Sequence, residues 1–178
     1  MTDEVRPDDL ERVATQIADV LGDAGMLVGG LAVGAWGYIR ATDDIDFVAG
    51  IPADEVKERL ESAGLSCQIQ KGNVLDGDLA WCVKGYVRGI RFDVLAPVVP
   101  LDFDRAVTLE LSRGKAVRVV DLDGLLRLKL KAGGPQDLLD AAQLLRKHPG
   151  MVEQIRPVAE AYSEWERLEG WIKDPRLR

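Results

Sequence analysis

Residues 26–30 read Met-Leu-Val-Gly-Gly, and residues 40–48 read Arg-Ala-Thr-Asp-Asp-Ile-Asp-Phe-Val. The first stretch is a short apolar run stopped by two glycines, which predicts a buried strand that enters a tight turn before a helix. The second stretch ends in alternating polar and apolar residues, the period of a half-buried strand. Side chains two positions apart leave a strand on the same face, so Asp44 and Asp46 share one face while their apolar neighbours anchor the other in the core.

A third carboxylate has the same setting on a later predicted strand, residues 90–95. There the apolar side chains take one face, and Arg91 and Asp93 take the other. Three carboxylates on one sheet face would repel each other strongly unless a cation neutralised them. Mg²⁺ takes oxygen ligands, and two such ions can clamp the attacking and leaving oxygens of a phosphoryl displacement. The strand pattern therefore predicts a divalent-cation site built from Asp44, Asp46 and Asp93.

The glycine pair Gly29-Gly30 is the second candidate element of this site. A strand that ends in two glycines and feeds a helix exposes backbone N–H groups and a positive helix end, which suits a phosphate. Glycine also lets a ligand approach the main chain closely. An Asp-x-Asp strand or a Gly-Gly turn is often structural when it stands alone, and here the order and spacing of the two strengthen the prediction of a site for a metal and a phosphate.

The remaining pattern predicts the fold class. The spacing of apolar residues predicts helices over 7–22, 31–40 and 52–63, strands over 67–70, 79–86, 90–95 and 116–120, a turn at 72–78, and then helices over 125–131, 135–146 and 151–168. Helices that alternate with short strands and end in a helical third predict an α+β protein with a short mixed sheet flanked by helices. We expect residues 1–120 to form the core and residues 121–178 a helical region packed on it, as a single compact unit.

Composition excludes several other classes. The chain has 178 residues, a net charge of −7, two cysteines (Cys67 and Cys82) and one histidine, His148. These are too few for a disulfide framework or a His-rich metal site, and a Ser-His triad would depend on His148 alone, which lies at a predicted helix end. Residues 1–61 carry 14 acidic and 5 basic side chains, which suits either a divalent-cation site or a solvated surface. A basic excess for gripping nucleic acid through phosphates is missing. The sequence shows neither a secretory signal nor a membrane span, so we expect a cytoplasmic protein.

In order along the chain, the glycines, a basic residue, a threonine and the aspartate strand form one longer pattern: Gly29-Gly30, Arg40, Thr42 and Asp44-Ile45-Asp46. This pattern resembles the signature of the DNA-polymerase-beta-like nucleotidyltransferase superfamily. Its Arg-x-Thr-x-Asp-Ile-Asp form is similar to the branch that contains the nucleotidyltransferase toxins of AbiEii type. Asp93 matches the third aspartate of that pattern, and residues 126–133 and 136–140 match two downstream helical motifs. The basic residue that often precedes Asp137 in this branch is Gln136 here.

The resemblance implies a role for each matched residue. Asp44 and Asp46 would be Mg²⁺ ligands, and Asp93 would help to hold a second Mg²⁺ ion and accept or orient the proton of the attacking hydroxyl. The implied nucleotide-binding residues are Gly29, Gly30, Arg40, Thr42 and Lys129, of which the glycines would cradle the triphosphate and the lysine would neutralise it. The residues themselves leave Arg40 open between bracing the aspartates and contacting a phosphate, and Thr42 between capping the loop and holding a carboxylate.

The implied reaction is the transfer of a nucleoside monophosphate from a nucleoside triphosphate, such as ATP, to an acceptor hydroxyl. The acceptor could be a tRNA 3′ end, a protein or a small molecule, and the protein could be the toxin that pairs with an antitoxin partner. An alternative is a non-catalytic partner or neutralising subunit of a two-component system with the same fold. A phosphohydrolase would need a water-positioning base that the sequence does not offer.

Overall fold

The computed structural model describes residues 7–72, 79–111 and 115–177. In these residues seven strands form a single sheet with the order β3-β4-β5-β2-β1-β7-β6. The strands are β1 (Gly25–Val28), β2 (Asp44–Ala49), β3 (Cys67–Lys71), β4 (Trp81–Val87), β5 (Ile90–Leu95), β6 (Val107–Glu110) and β7 (Ala116–Val119). The sheet is mixed, since β2 pairs in parallel with β5 and β1 with β7, while the other pairs are antiparallel.

Helices flank the sheet and make up most of the chain after β7. They are α1 (Pro7–Leu21), α2 (Gly29–Ala35), α3 (Ala53–Ser62), α4 (Leu122–Ala132), α5 (Pro135–Lys147), α6 (Val152–Ala161) and α7 (Trp165–Lys173). The mixed sheet, its flanking helices and the helical carboxyl-terminal region confirm the predicted α+β class. Within the described residues no helix is long and apolar enough to cross a lipid bilayer.

Two predicted helices differ from the structure, and one strand was missed. The helix expected over 31–40 is α2, which begins at Gly29 and ends at Ala35, because Gly37 turns the chain with a φ of 101°. The helix expected over 151–168 is divided into α6 and α7, with Ser163 at a φ of 60° between them. Strand β6 was not predicted. Of the turn expected at 72–78, residues 73–78 lie outside the described residues.

The helix that carries Lys129 has a clear signal at each end. Asp121 caps α4, because its carboxylate accepts a hydrogen bond from the backbone N–H of Gly124 at 3.0 Å, as helix N-caps do. Gly133 ends the helix in the left-handed conformation, with a φ of 65°. The helix therefore starts three residues before the predicted boundary at residue 125.

One hydrophobic core joins the sheet to the helices. Buried residues of β1, β2 and β5, such as Leu27, Phe47 and Phe92, belong to the same cluster as Leu125 and Leu138 of α4 and α5. Helix α4 adjoins the face of the sheet that carries the carboxylates, since Leu125 and Lys129 line one cavity with Val28 and Asp46. The division at residue 120 stays a prediction.

Candidate active site

Strand pairing brings the predicted carboxylates together on one face of the sheet. Asp46 of β2 and Asp93 of β5 are direct partners in the parallel register, and Asp44 is paired with Arg91. The Asp44 side chain is 34% exposed and that of Asp93 11% exposed, so the cluster runs from the solvent into the sheet. The predicted same-face arrangement of the three aspartates is therefore present in the structure.

This cluster is electrostatically strained. Burial, together with the negative charges of Asp44 and Asp93, raises the pKa of Asp46 from 3.8 to about 6, while Lys129 and Arg91 act in the opposite direction. The Oδ1 atom of Asp93 is buried and has no hydrogen-bond partner among the described residues. A buried, unpartnered carboxylate oxygen beside two further carboxylates offers the oxygen donors that a hard divalent cation prefers. The three residues therefore fit the predicted metal.

Arg91 lies across the outer part of the cluster. Its Nη2 atom is 2.6 Å from Oδ2 of Asp44 and 3.6 Å from Oδ2 of Asp93. Thr42 binds the other oxygen of Asp44, with its Oγ1 atom 3.2 Å from Oδ1. In the described parts of the chain, no group of three or more His, Cys, Asp or Glu side chains stands in an arrangement that could hold a metal ion as it is. The predicted site would therefore require movement of side chains, Arg91 above all.

The glycine pair packs directly against the acidic strand. Gly29 has a φ of 65°, and a Cβ atom there would lie 2.1 Å from Oδ2 of Asp46. A Cβ atom on Gly30 would lie 2.6 Å from Oγ1 of Thr42. Both positions need glycine, because the side chain of Asp46 approaches the main chain closely at Gly29 and that of Thr42 does so at Gly30. This close packing also places the first backbone N–H groups of α2 beside Asp46, where the predicted triphosphate cradle would be.

A buried polar network supports the site from the side of α4 and α5. Asp140 is fully buried, with its side chain 0% exposed. Arg40 binds it through two hydrogen bonds of 2.8 Å, Gln136 donates a third at 2.8 Å, and Nζ of Lys129 is 2.9 Å away. Lys129 is also 2.9 Å from Asp137. Burial would raise the pKa of Asp140, but the hydrogen bonds from Arg40, Lys129 and Gln136 overcome it and lower that pKa below its usual value.

The network explains two sequence features. Arg40 braces the segment that leads into β2, because its partner Asp140 lies 100 positions away on α5. Gln136, which replaces the basic residue of the resembling branch, donates to the same carboxylate. The sequence interpretation gave Asp140 no role beyond its match to a helical motif. The remaining signal was Gln136, a polar residue one helical turn before Asp140.

A cavity of about 370 Å³ opens beside the cluster, within the size range of small-molecule sites. Its polar lining includes Asp46, Lys129, Lys131 and Asp137, and the main chain of Gly29 forms part of the wall. The rest of the lining is mainly apolar side chains of β1, β2, β5, α4 and the segment after β5. A ligand here would have its charged end between carboxylates and lysines and its less polar part against the apolar wall.

This sheet, with its flanking helices and carboxylates on two parallel neighbours, is the nucleotidyltransferase fold. TM1012 of Thermotoga maritima, described as a nucleotidyltransferase, matches with a TM-score of 0.57 and 17% identity over 83% of this chain and 97% of its own. ANT(2″)-Ia in complex with adenylyl-2″-tobramycin matches with a TM-score of 0.59 and 15% identity over 85% and 97%. The solution structure of this antibiotic-resistance factor gives a TM-score of 0.57 over 90% and 97%. At these identities the likeness establishes the fold.

No protein-family model matches the chain, and no curated protein matches it in sequence. The comparisons therefore show the fold, while membership in the superfamily and in its AbiEii-type branch stays a prediction.

Proposed function

We propose that the protein is a nucleotidyltransferase that moves a nucleoside monophosphate from a nucleoside triphosphate to an acceptor hydroxyl. The observation that carries this proposal is the register of β2 and β5, which sets Asp46 beside Asp93. Gly29 packs against the carboxylate of Asp46, and Lys129 lines the adjoining cavity. The fold supports the proposal, because solved proteins of this architecture are described as nucleotidyltransferases.

Asp44, Asp46 and Asp93 would hold Mg²⁺, two ions by the resemblance. When bound, such ions neutralise the phosphates and stabilise the attacking and leaving oxygens of the displacement. The buried, unpartnered Oδ1 atom of Asp93 is suited to this ligand set. Asp93 is also the innermost of the three carboxylates that the register brings together, which supports its proposed role in accepting or orienting the proton of the hydroxyl.

The nucleoside triphosphate would extend from the carboxylates into the cavity. Backbone N–H groups at Gly29 and Gly30 and the ammonium group of Lys129 would bind the phosphates, and the apolar wall would contact the nucleoside. Arg40 and Thr42 contact Asp140 and Asp44, which supports a positioning role for both. Direct contact of these two residues with the nucleotide stays a prediction.

In the proposed reaction an acceptor oxygen attacks the α-phosphorus in line, the bond to the β-phosphate oxygen breaks, and pyrophosphate leaves. Positioning and electrostatic stabilisation suffice for this chemistry. The acceptor could be a small molecule, a protein or a tRNA 3′ end. The complex of ANT(2″)-Ia with adenylyl-2″-tobramycin is a precedent for a small-molecule acceptor in this fold. The resemblance to AbiEii-type toxins extends the proposal to a toxin with an antitoxin partner.

Thermal unfolding with each nucleotide is the first test. We would measure Tm with and without ATP, CTP, GTP or UTP plus Mg²⁺ for the wild type, for Asp44→Ala/Asp46→Ala and for the control Asp43→Ala. Asp43 is exposed and lies just outside β2. Ligand at about 100 times its Kd stabilises by ~2.7 kcal/mol, a Tm increase of about 5–10 °C for a domain of this size.

A Mg²⁺-dependent increase that persists in Asp43→Ala and disappears in the double variant supports the proposal. The preferred nucleotide, labelled at its α-phosphate, then identifies the acceptor by transfer of the label to RNA, protein or an aminoglycoside. An unchanged Tm with all four nucleotides contradicts the proposal and favours the non-catalytic partner. A pull-down with the product of a neighbouring gene tests the toxin–antitoxin hypothesis separately.

A further inference from the structure

Arg91 is the basic residue closest to the carboxylate cluster. Strands β4 and β5 meet in a two-residue turn in which Arg88 and Gly89 have φ values of 53° and 81°. Positive φ at both central residues is typical of the tight hairpin turns that fix strand register. The turn sets the main chain of Arg91 opposite Tyr86, and the parallel pairing of β2 with β5 sets it opposite Asp44.

The side chain of Arg91 is much less constrained than its backbone. It is 47% exposed, and its neighbour Tyr86 is 67% exposed, so the open sheet face leaves room for another rotamer. Its contacts at the cluster are the ion pairs with Asp44 and Asp93. Ion pairs this exposed are weak enough to exchange.

A divalent cation would need the oxygens that Arg91 now binds. Oδ2 of Asp44 accepts the Arg91 hydrogen bond at 2.6 Å, and Oδ2 of Asp93 lies 3.6 Å from the same Nη2 atom. Cation ligands lie about 2.0–2.6 Å from the metal, so a metal bound to both oxygens would occupy the space around this guanidinium. Arg91 and the metal are therefore mutually exclusive at these two atoms.

We propose that Arg91 is an internal counter-cation of the carboxylate cluster, which a divalent cation must displace to bind Asp44 and Asp93. This inference rests on the proposed function, because it assumes that the cluster is a metal site. It predicts that Arg91 stabilises the carboxylate cluster in the metal-free protein and that it lowers the affinity of the cluster for a metal. The metal–nucleotide complex would then load more readily than the bare metal, because its phosphates offer the released guanidinium a new partner.

Direct binding of Mn²⁺, used as a spectroscopic substitute for Mg²⁺, tests the proposal without an activity assay. Free Mn²⁺ would be measured by electron paramagnetic resonance in titrations of the wild type, Arg91→Gln and Arg91→Lys. Lys84→Gln is the matched control, since Lys84 is exposed on the same sheet face, faces Asp93 across β4 and β5, and has no ion pair with another described residue. We expect Arg91→Gln to bind Mn²⁺ about five-fold more tightly, the size expected for release of one partly exposed ion pair.

Lys84→Gln should change the affinity by less than about two-fold, because Lys84 is exposed and forms no ion pair with a described carboxylate, so salt screens its charge. The affinity of Arg91→Lys for Mn²⁺ should lie between those of the wild type and Arg91→Gln. In metal-free buffer Arg91→Gln should also have a lower Tm than Lys84→Gln, since it leaves the carboxylates without their counter-cation.

Equal tightening in Arg91→Gln and Lys84→Gln would overturn the proposal, because general electrostatics would then account for the result. Unchanged Mn²⁺ affinity in Arg91→Gln, with measurable binding in the wild type, would overturn it while leaving the proposed function intact. Absence of Mn²⁺ binding in every variant would overturn both.

Discussion

Asp140 is the residue on which the polar contacts of the site converge. It is fully buried and neutralises both Arg40 and Lys129. Asp140→Asn would leave these two cations without their shared counter-charge, so we expect the free energy of unfolding to fall by about 3 kcal/mol. Asp137→Asn is the control, because Asp137 binds Lys129 alone and its side chain is 28% exposed. Urea unfolding at pH 7 measures both variants, and equal losses would contradict the central role of Asp140.

The titration of Asp46 should make the free energy of unfolding depend on pH. Its pKa is about 6 in the folded protein against 3.8 ordinarily, so the folded state binds more protons than the unfolded state between these values. Stability should therefore fall as pH rises from about 4 to about 6 and stay low above pH 6. Asp46→Asn removes this effect and should raise the free energy of unfolding at pH 7 by about 2–3 kcal/mol in metal-free buffer.

Unfolding curves from pH 4 to pH 8 would check this, with Asp43→Asn as the exposed control. An unchanged pH profile in Asp46→Asn would show that the carboxylate is solvated and that the repulsion within the cluster is small. The same profile in saturating Mn²⁺ should rise rather than fall through pH 6, because the metal binds the deprotonated carboxylate.

At this scale the sequence predicted some of the site and missed the rest for identifiable reasons. The same-face arrangement of Asp44, Asp46 and Asp93 follows from the period of a strand, which is a local property. The contacts of Arg40 with Asp140, and of Arg91 with Asp44, join residues that are 100 and 47 positions apart. Such pairs depend on the register of the sheet and the docking of α5, and charge pattern alone does not specify either.

Helix α2 and its glycines are the element that fixes Asp46 in place. Gly29→Ala would put a Cβ atom into Oδ2 of Asp46 at a residue with positive φ, so we expect a loss of about 1–3 kcal/mol. Gly34→Ala in the same helix is the matched control, since a Cβ atom there would meet nothing within 4 Å. It should stabilise by about 0.4–1 kcal/mol, because alanine restricts the unfolded chain.

If Gly29 packs against Asp46 as described, chemical unfolding should show a lower free energy of unfolding for Gly29→Ala and a higher one for Gly34→Ala. Equal changes in the two would mean that helix propensity, rather than contact with the acidic strand, governs this element. Loss of Mn²⁺ binding in Gly29→Ala, but not in Gly34→Ala, would further link the glycine to the cluster.

Element boundaries were predictable where a strong local signal existed. The strand over 90–95 is observed with the predicted bounds, because strict alternation ends at a proline. The helix predicted over 31–40 was too long, because the apolar spacing continues past Ala35. In the structure the turn at Gly37 outweighs that spacing, and the helix ends at Ala35. Strand β6 has four residues and pairs with β7 alone, so its pattern is too short to distinguish from a loop.

The whole molecule is expected to unfold as one unit. Leu125, Leu126 and Leu138 of the carboxyl-terminal helices are fully buried in the cluster that contains the sheet residues, and the ion pair between Arg40 and Asp140 joins the two parts at the site. Removing the helices would therefore expose the core of the sheet and leave the charge of Arg40 unpaired. Burial of apolar surface stabilises by about 25 cal/mol per Å². We expect this packing contribution to exceed any stability that the four short helices have on their own.

We therefore expect a single cooperative transition for the full chain and no folded state for residues 1–120 alone. Far-UV circular dichroism, which is dominated by helices, and tryptophan fluorescence should give coincident urea curves. Trp36 and Trp81 report on the sheet region, while Trp165 and Trp171 report on α7. An earlier transition in Trp36→Phe/Trp81→Phe, whose remaining tryptophans lie in α7, would show that the last helices unfold separately. In that case Lys129 and Asp140, which lie on α4 and α5, could still be ordered with the sheet, and the unit to truncate would begin after α5.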